Sequence, residues 1–225
     1  MAQFKRLDVL RQAGEQGVIP VMYHPDPEIL KNIVKACYEG GIRSFEFTNR
    51  GDFAHEVFSE LNKWVLSELP GMTLGVGSIV EAGTASIYMQ LGANFIVSPI
   101  LSEEMAKVCN RRKVAWMPGC GTLSEISKAE ELGAEIVKVF PASSIGGPSF
   151  VKNILGPSPW SNIMPTGGVE PTQDNLKAWF DAGVYCVGMG SKLITRDIIK
   201  DQDFDQLKQK CQNIIQLIKE IRDDK

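Results

Sequence analysis

Histidine is scarce: His24 and His55 are the only two in 225 residues, and their placement offers no metal-ligand spacing. No metal centre is expected. Cysteine is present but never paired. Cys37, Cys109, Cys120, Cys186 and Cys211 form no Cys-x-x-Cys motif, and most fall in apolar runs. They read as reduced core thiols of a cytoplasmic protein, not as a disulfide framework. No apolar run reaches membrane-spanning length, and the opening MAQFKRLDVLRQAGEQG lacks the apolar centre of a secretory signal. Charge of one sign is missing too. Twenty-four basic residues against 27 acidic ones give a formal net charge of −3, which leaves no electrostatic basis for binding nucleic acid or an anionic membrane. No linker or low-complexity tract divides the chain, so residues 1–225 are expected to form one domain.

What is present is a rhythm. Short apolar runs rich in branched residues start at Val18, Ser44, Thr73, Asn94, Val114, Ile136, Ile163 and Val184, 20 to 29 residues apart. Amphipathic helical patterns lie between most of them. Asp26, Ser124 and Thr172 stand where helix N-caps belong, and Gly40, Gly92, Gly133 and Gly183 where helices close. Eight strand–helix repeats predict a parallel (β/α)8 TIM barrel. A doubly wound open sheet needs fewer strands and a glycine fingerprint after the first, which VIPVMYHPD lacks. Phe204, Leu207, Cys211, Ile214, Ile218 and Ile221 recur at three- and four-residue steps, so residues 196–225 form a C-terminal helical extension on the barrel exterior.

A barrel places its chemistry at the C-terminal ends of its strands. Those ends collect polar residues and glycines: Glu46, Thr48 and Arg50; Gly75, Gly77 and Ser78; Pro99; Lys138 and Phe140; Thr166, Gly167 and Gly168; Gly188, Gly190 and Ser191. Alternation along EIVKVF sends Val137 and Val139 towards the helices and Lys138 into the barrel. An amine held away from water is a candidate nucleophile for a ketone. Alternation along SFEFT points Glu46 inward as well, as a proton carrier or as an ion-pair partner. The turns PTGGV and GMGS leave backbone N–H groups open to a phosphate. From the residues alone, an aldolase, a sugar-phosphate isomerase or epimerase, and a non-catalytic sugar-phosphate-binding barrel all remain open.

GGIRSFEFTNR, GVGS, FIVSP, MPGCGT, VKVFPA, PTGGV and GMGS occur in that order over about residues 15 to 195. In this the chain resembles the 2-keto-3-deoxy-6-phosphogluconate (KDPG) and 4-hydroxy-2-oxoglutarate (KHG) aldolases. The resemblance implies a class I lyase of carbohydrate metabolism that acts on a small 2-keto acid, needs no cofactor and assembles as a homotrimer. It implies that Lys138 forms the Schiff base and that Glu46 is the general acid/base. Arg50 and Thr166 would hold the substrate carboxylate, and Gly167, Gly168, Gly190 and Ser191 the distal phosphate. Ser78, Pro99 and Phe140 would complete the pocket. The chain departs from the family pattern at Ser78, where threonine is usual, at Gly51, where threonine or proline is common, and at Tyr23, where many members carry an arginine. The choice among KDPG, its galactose-series epimer and KHG is left open by the sequence.

Overall fold

Each apolar run becomes a stave because its branched residues suit a pleated, buried surface. The computed structural model describes residues 2–224. Helix α1 (Arg6–Gln16) precedes β1 (Val18–Met22), α2 (Pro27–Glu39), β2 (Ser44–Thr48) and α3 (Ala54–Glu68). Next come β3 (Thr73–Gly77), α4 (Ala82–Gln90), β4 (Phe95–Val97) and α5 (Glu103–Arg112). The fifth stave is divided into β5 (Ala115–Met117) and β6 (Gly119–Cys120), followed by α6 (Leu123–Glu131) and β7 (Val137–Val139). A 3₁₀ turn (Ala142–Ile145) leads to α7 (Gly147–Leu155), β8 (Ile163–Pro165), α8 (Gln173–Asp181) and β9 (Val187–Met189). Helices α9 (Arg196–Asp201) and α10 (Phe204–Asp223) end the chain.

All strand pairings are parallel. Pro118 has no N–H to offer, and it stands where the fifth stave divides. Its lower part, β5, pairs with β4, and its upper part, β6, pairs with β7. A bridge between Thr166 and Gly188 joins the end of β8 to β9, and β9 pairs with β1. The ring is therefore the eight-staved barrel that the spacing predicts.

Two apolar layers follow from alternation. Phe45, Phe47, Val76, Trp116, Val137 and Val139 pack between staves and helices. Ile19, Phe95, Val97, Met117, Ile136 and Met164 fill the barrel interior together with Val9, Leu10 and Ala13 of α1. Helix α1 thus plugs the N-terminal mouth, a role that the sequence pattern did not announce. Fully burying each large apolar side chain contributes about 1.5–3 kcal/mol, so the interior below the active end is solid. Among the described residues, no helix is long and apolar enough to cross a membrane.

The expected C-terminal extension forms as two helices, broken at Gln202 (φ 50°). Leu207, Cys211, Ile214, Ile218 and Ile221 are its buried stripe, and α10 lies against α2 and α8. Two end signals differ from expectation. The cap of α6 is Thr122, not Ser124: its hydroxyl accepts the Glu125 N–H at 3.2 Å, and the Glu125 carboxylate accepts the Gly121 N–H at 2.8 Å. This is a capping box displaced by one residue, since the Glu125 carboxylate takes the N–H just before the Thr122 cap. Gly40 keeps a φ of −75°, and the left-handed turn falls to Gly41 at φ 97°.

Candidate active site

Staves β2 and β7 stand opposite each other in the ring. Alternation on β2 turns Phe45 and Phe47 to the helices and Glu46 inward; on β7 it turns Val137 and Val139 outward and Lys138 inward. The two inward groups meet, with Lys138 Nζ 4.0 Å from Glu46 Oε1. Glu46 is only 1% exposed and Lys138 6%. Burial pushes the Glu46 carboxyl above its ordinary range, and the charges of Lys138 and then Arg50 draw it back down. Its Oε2 finds no hydrogen-bond partner among the described residues. A buried, under-satisfied carboxylate is costly, so the arrangement stores proton affinity at one point.

The neighbouring staves make this possible by omission. A Cβ at Gly77 would collide with the Glu46 carboxylate, and one at Gly188 with the Thr166 hydroxyl. These glycines make room for functional side chains; they are not merely turn residues.

Above the pair opens a cavity of about 450 Å³. Arg50, Phe140, Thr166, Gly167, Gly168, Gly190 and Ser191 all lie on its walls, as the sequence leads one to expect. Lys138 and Glu46 are not on its walls; they lie one inward position below Phe140 and Thr48, which are. The Phe140 ring centroid is 5.2 Å from Lys138 Nζ. Thr166 Oγ1 is buried without a partner among the described residues. Gly167 and Gly168 adopt φ 95° and 79°, where a side chain would be strained. A Cβ at Gly168 would also strike the Ser143 side chain.

Two expected pocket residues stand off the walls. Ser78 (φ 60°) accepts a hydrogen bond from Arg50 Nε at 3.3 Å and so steadies Arg50. Pro99 presses its carbonyl against the bare Cα of Gly119. Tyr23 does line the cavity, its ring edge-on to Phe47 at 5.7 Å between centroids. His24 is occupied in the turn before α2, accepting the Asp26 N–H at 3.1 Å. The sequence reading gave Thr48 only as a strand-end residue and passed over Lys192 and Arg196; all three are on the walls. The signal for the last two was the pair of cations in GSKLITR, directly after the eighth stave. A larger cavity, about 850 Å³, borders Phe4, Leu7 and Arg112. It lies against α1 at the N-terminal mouth, whereas barrel chemistry belongs at the other mouth.

The family described as KDPG and KHG aldolase matches residues 9–210 of the chain. A 2-dehydro-3-deoxy-phosphogluconate aldolase of Pseudoalteromonas atlantica is 32% identical over 190 residues, covering 84% of this chain and 86% of that protein. The crystal structure of a KDPG aldolase from Legionella pneumophila, with pyruvate captured as a covalent carbinolamine, superposes with a TM-score of 0.83. It is 25% identical and covers 92% of this chain and 97% of its own. A KDPG aldolase of Zymomonas mobilis solved with 3-phosphoglycerate gives a TM-score of 0.78 at 27% identity, covering 93% and 94%. The match runs through every stave of the barrel and through both members of the buried pair, and the chain is a lyase that belongs to the KDPG and KHG aldolase family.

Proposed function

We propose that this protein is a class I aldolase that cleaves KDPG to pyruvate and glyceraldehyde 3-phosphate. The observation that carries the reading is the buried amine of Lys138, 4.0 Å from the buried carboxylate of Glu46, beneath an open cavity.

The chemistry follows from those two groups. The Lys138 amine adds to the C2 ketone, and the carbinolamine loses water to give an iminium. Glu46 accepts the C4 hydroxyl proton. The C3–C4 bonding electrons pass to the iminium, the aldehyde leaves, and an enamine remains. Glu46 returns the proton to C3, and water releases pyruvate and the free amine. Burial raises the affinity of this carboxyl for a proton, which favours its acting as both acceptor and donor. Arg50, steadied by Ser78, meets the substrate carboxylate with its planar fork, and the orphan Thr166 hydroxyl donates to the same group. Gly167, Gly168, Gly190 and Ser191 receive the phosphate. Phe140 closes the side of the pocket over Lys138.

The whole chain acts as one catalytic domain, assembled as a homotrimer in the cytoplasm and serving an Entner–Doudoroff type of sugar-acid breakdown. The test is incubation with pyruvate and borohydride, followed by peptide mapping. Covalent mass on Lys138 supports the reading, and an unlabelled protein refutes it. Cleavage rates for KDPG, its galactose-series epimer and KHG then rank the substrates.

A further inference from the structure

Among the described residues, the cavity walls carry three cations, Arg50, Lys192 and Arg196, and no aspartate or glutamate. The cations fall at two poles. Arg50 follows β2, on the side of the buried pair. Lys192 and Arg196 follow β9, beside Gly190 and Ser191. Their backbone is pinned. The N–H groups of Leu193 and Ile194 both bond the Gly190 carbonyl, at 3.0 and 3.1 Å. Leu193 and Ile194 are buried in the core, and Thr195 caps α9 through the Ile198 N–H. The cations are therefore held out from a fixed segment. They are not equivalent. Lys192 is paired with Glu170 at 2.8 Å, whereas Arg196 makes no ion pair among the described residues. Tyr23, after the adjoining stave β1, contributes no charge to the wall.

We infer that Arg196, assisted by Lys192, is the specificity determinant that commits this site to a 2-keto acid with a phosphorylated distal end. A phosphate carries close to two charges at neutral pH, and bare glycine N–H groups neutralise only part of that. An unpaired guanidinium beside them supplies the rest with a bidentate fork. In KHG the second carboxylate sits directly on C4, at the scissile bond, too close to the Lys138 pole to use Arg196. Glu170 tempers Lys192, so the pole's strength rests on Arg196. The inference depends on the aldolase reading for the identity of the pyruvyl end, and does not depend on it for the anion pole.

The experiment compares wild type, Arg196→Gln and Glu170→Gln at fixed ionic strength. One arm measures kcat/KM for KDPG and for KHG; the other measures inorganic phosphate binding by ³¹P NMR titration. For Arg196→Gln the loss on KDPG should exceed the loss on KHG by roughly 10-fold or more, the scale of one charged hydrogen bond, and phosphate affinity should fall in parallel. For Glu170→Gln, which frees Lys192, phosphate affinity should rise by up to about fivefold, the scale of an exposed pair. A change of loop structure would not raise it. Equal losses on both substrates, or unchanged phosphate affinity in Arg196→Gln, overturn the inference. If wild type neither traps pyruvate nor cleaves either substrate, the aldolase reading fails, and the phosphate titration alone decides the anion pole.

Discussion

Replacing Lys138 with methionine should leave the fold intact, abolish pyruvate trapping, and create a stability deficit that depends on pH. Methionine keeps most of the stem volume, so repacking should cost less than about 1.5 kcal/mol. The electrostatic part is larger. Lys138 lies 4.0 Å from Glu46 and helps hold its carboxyl down against burial, which pushes it up. Unit charges at that distance attract by about 4 kcal/mol at an effective dielectric near 20. Without the amine the carboxyl rises further, and ionising Glu46 in the folded mutant costs more. A carboxyl whose pKa is higher in the folded chain takes up a proton on folding, so its stabilising effect is complete below about pH 4.3 and is lost as pH rises towards the folded value. The loss is at most about 1.4 kcal/mol per pH unit. Part of this slope already exists in the wild type, where Glu46 is also raised. The added deficit should therefore be larger at pH 7 than at pH 4.5, and no larger than the charge attraction itself. Urea unfolding at the two pH values measures it directly. A deficit equal at both would show that the charge pair does not govern Glu46, and undiminished labelling would assign the Schiff base to another lysine.

Glu46→Gln keeps the shape but cannot carry the proton; cleavage should fall by roughly 10²–10⁴-fold while slow trapping at Lys138 persists. Exchange of the pyruvate methyl protons with deuterated solvent should slow with it, and normal exchange would remove Glu46 from proton transfer. Arg50→Leu should weaken pyruvate binding far more than binding of inorganic phosphate; equal losses would mean that Arg50 serves the general field. Thr166→Val removes a buried hydroxyl that has no partner among the described residues, so stability should hold or rise by about 1 kcal/mol while pyruvate affinity drops several-fold. Unchanged affinity would take Thr166 out of the carboxylate site. Gly190→Ala is the clean probe of the phosphate corner, because a Cβ there meets nothing closer than the Val21 carbonyl at 3.5 Å. It should hurt KDPG cleavage more than KHG cleavage, and equal effects would make Gly190 a structural turn. Gly168 cannot serve this purpose, since any side chain there collides with Ser143.

The buried pair was legible because it depends on the shortest periodicity a chain has. Strand alternation alone assigns Lys138 and Glu46 to the interior, and eight evenly spaced runs make that interior a barrel. What escaped the sequence depends on atoms distant along the chain. Gly77 looks like any rim glycine until β3 is laid beside β2 and its missing Cβ proves to be the space that Glu46 occupies. Gly188 does the same for Thr166 on the adjoining stave. Helix α1 reads as an ordinary surface helix, and only the open mouth beneath Ile19 and Met164 explains why Val9, Leu10 and Ala13 are buried. Arg196 was hidden for a related reason. It lies beyond the last stave, in a stretch whose pattern announces only the start of a helix, and its direction is fixed by two buried neighbours and the Gly190 carbonyl. The buried pair is thus written in alternation, whereas the glycines that make room for it, and the cations proposed to choose its substrate, are written in which stave closes against which. One chemistry can persist on this barrel while the loop after the last stave changes what arrives at it.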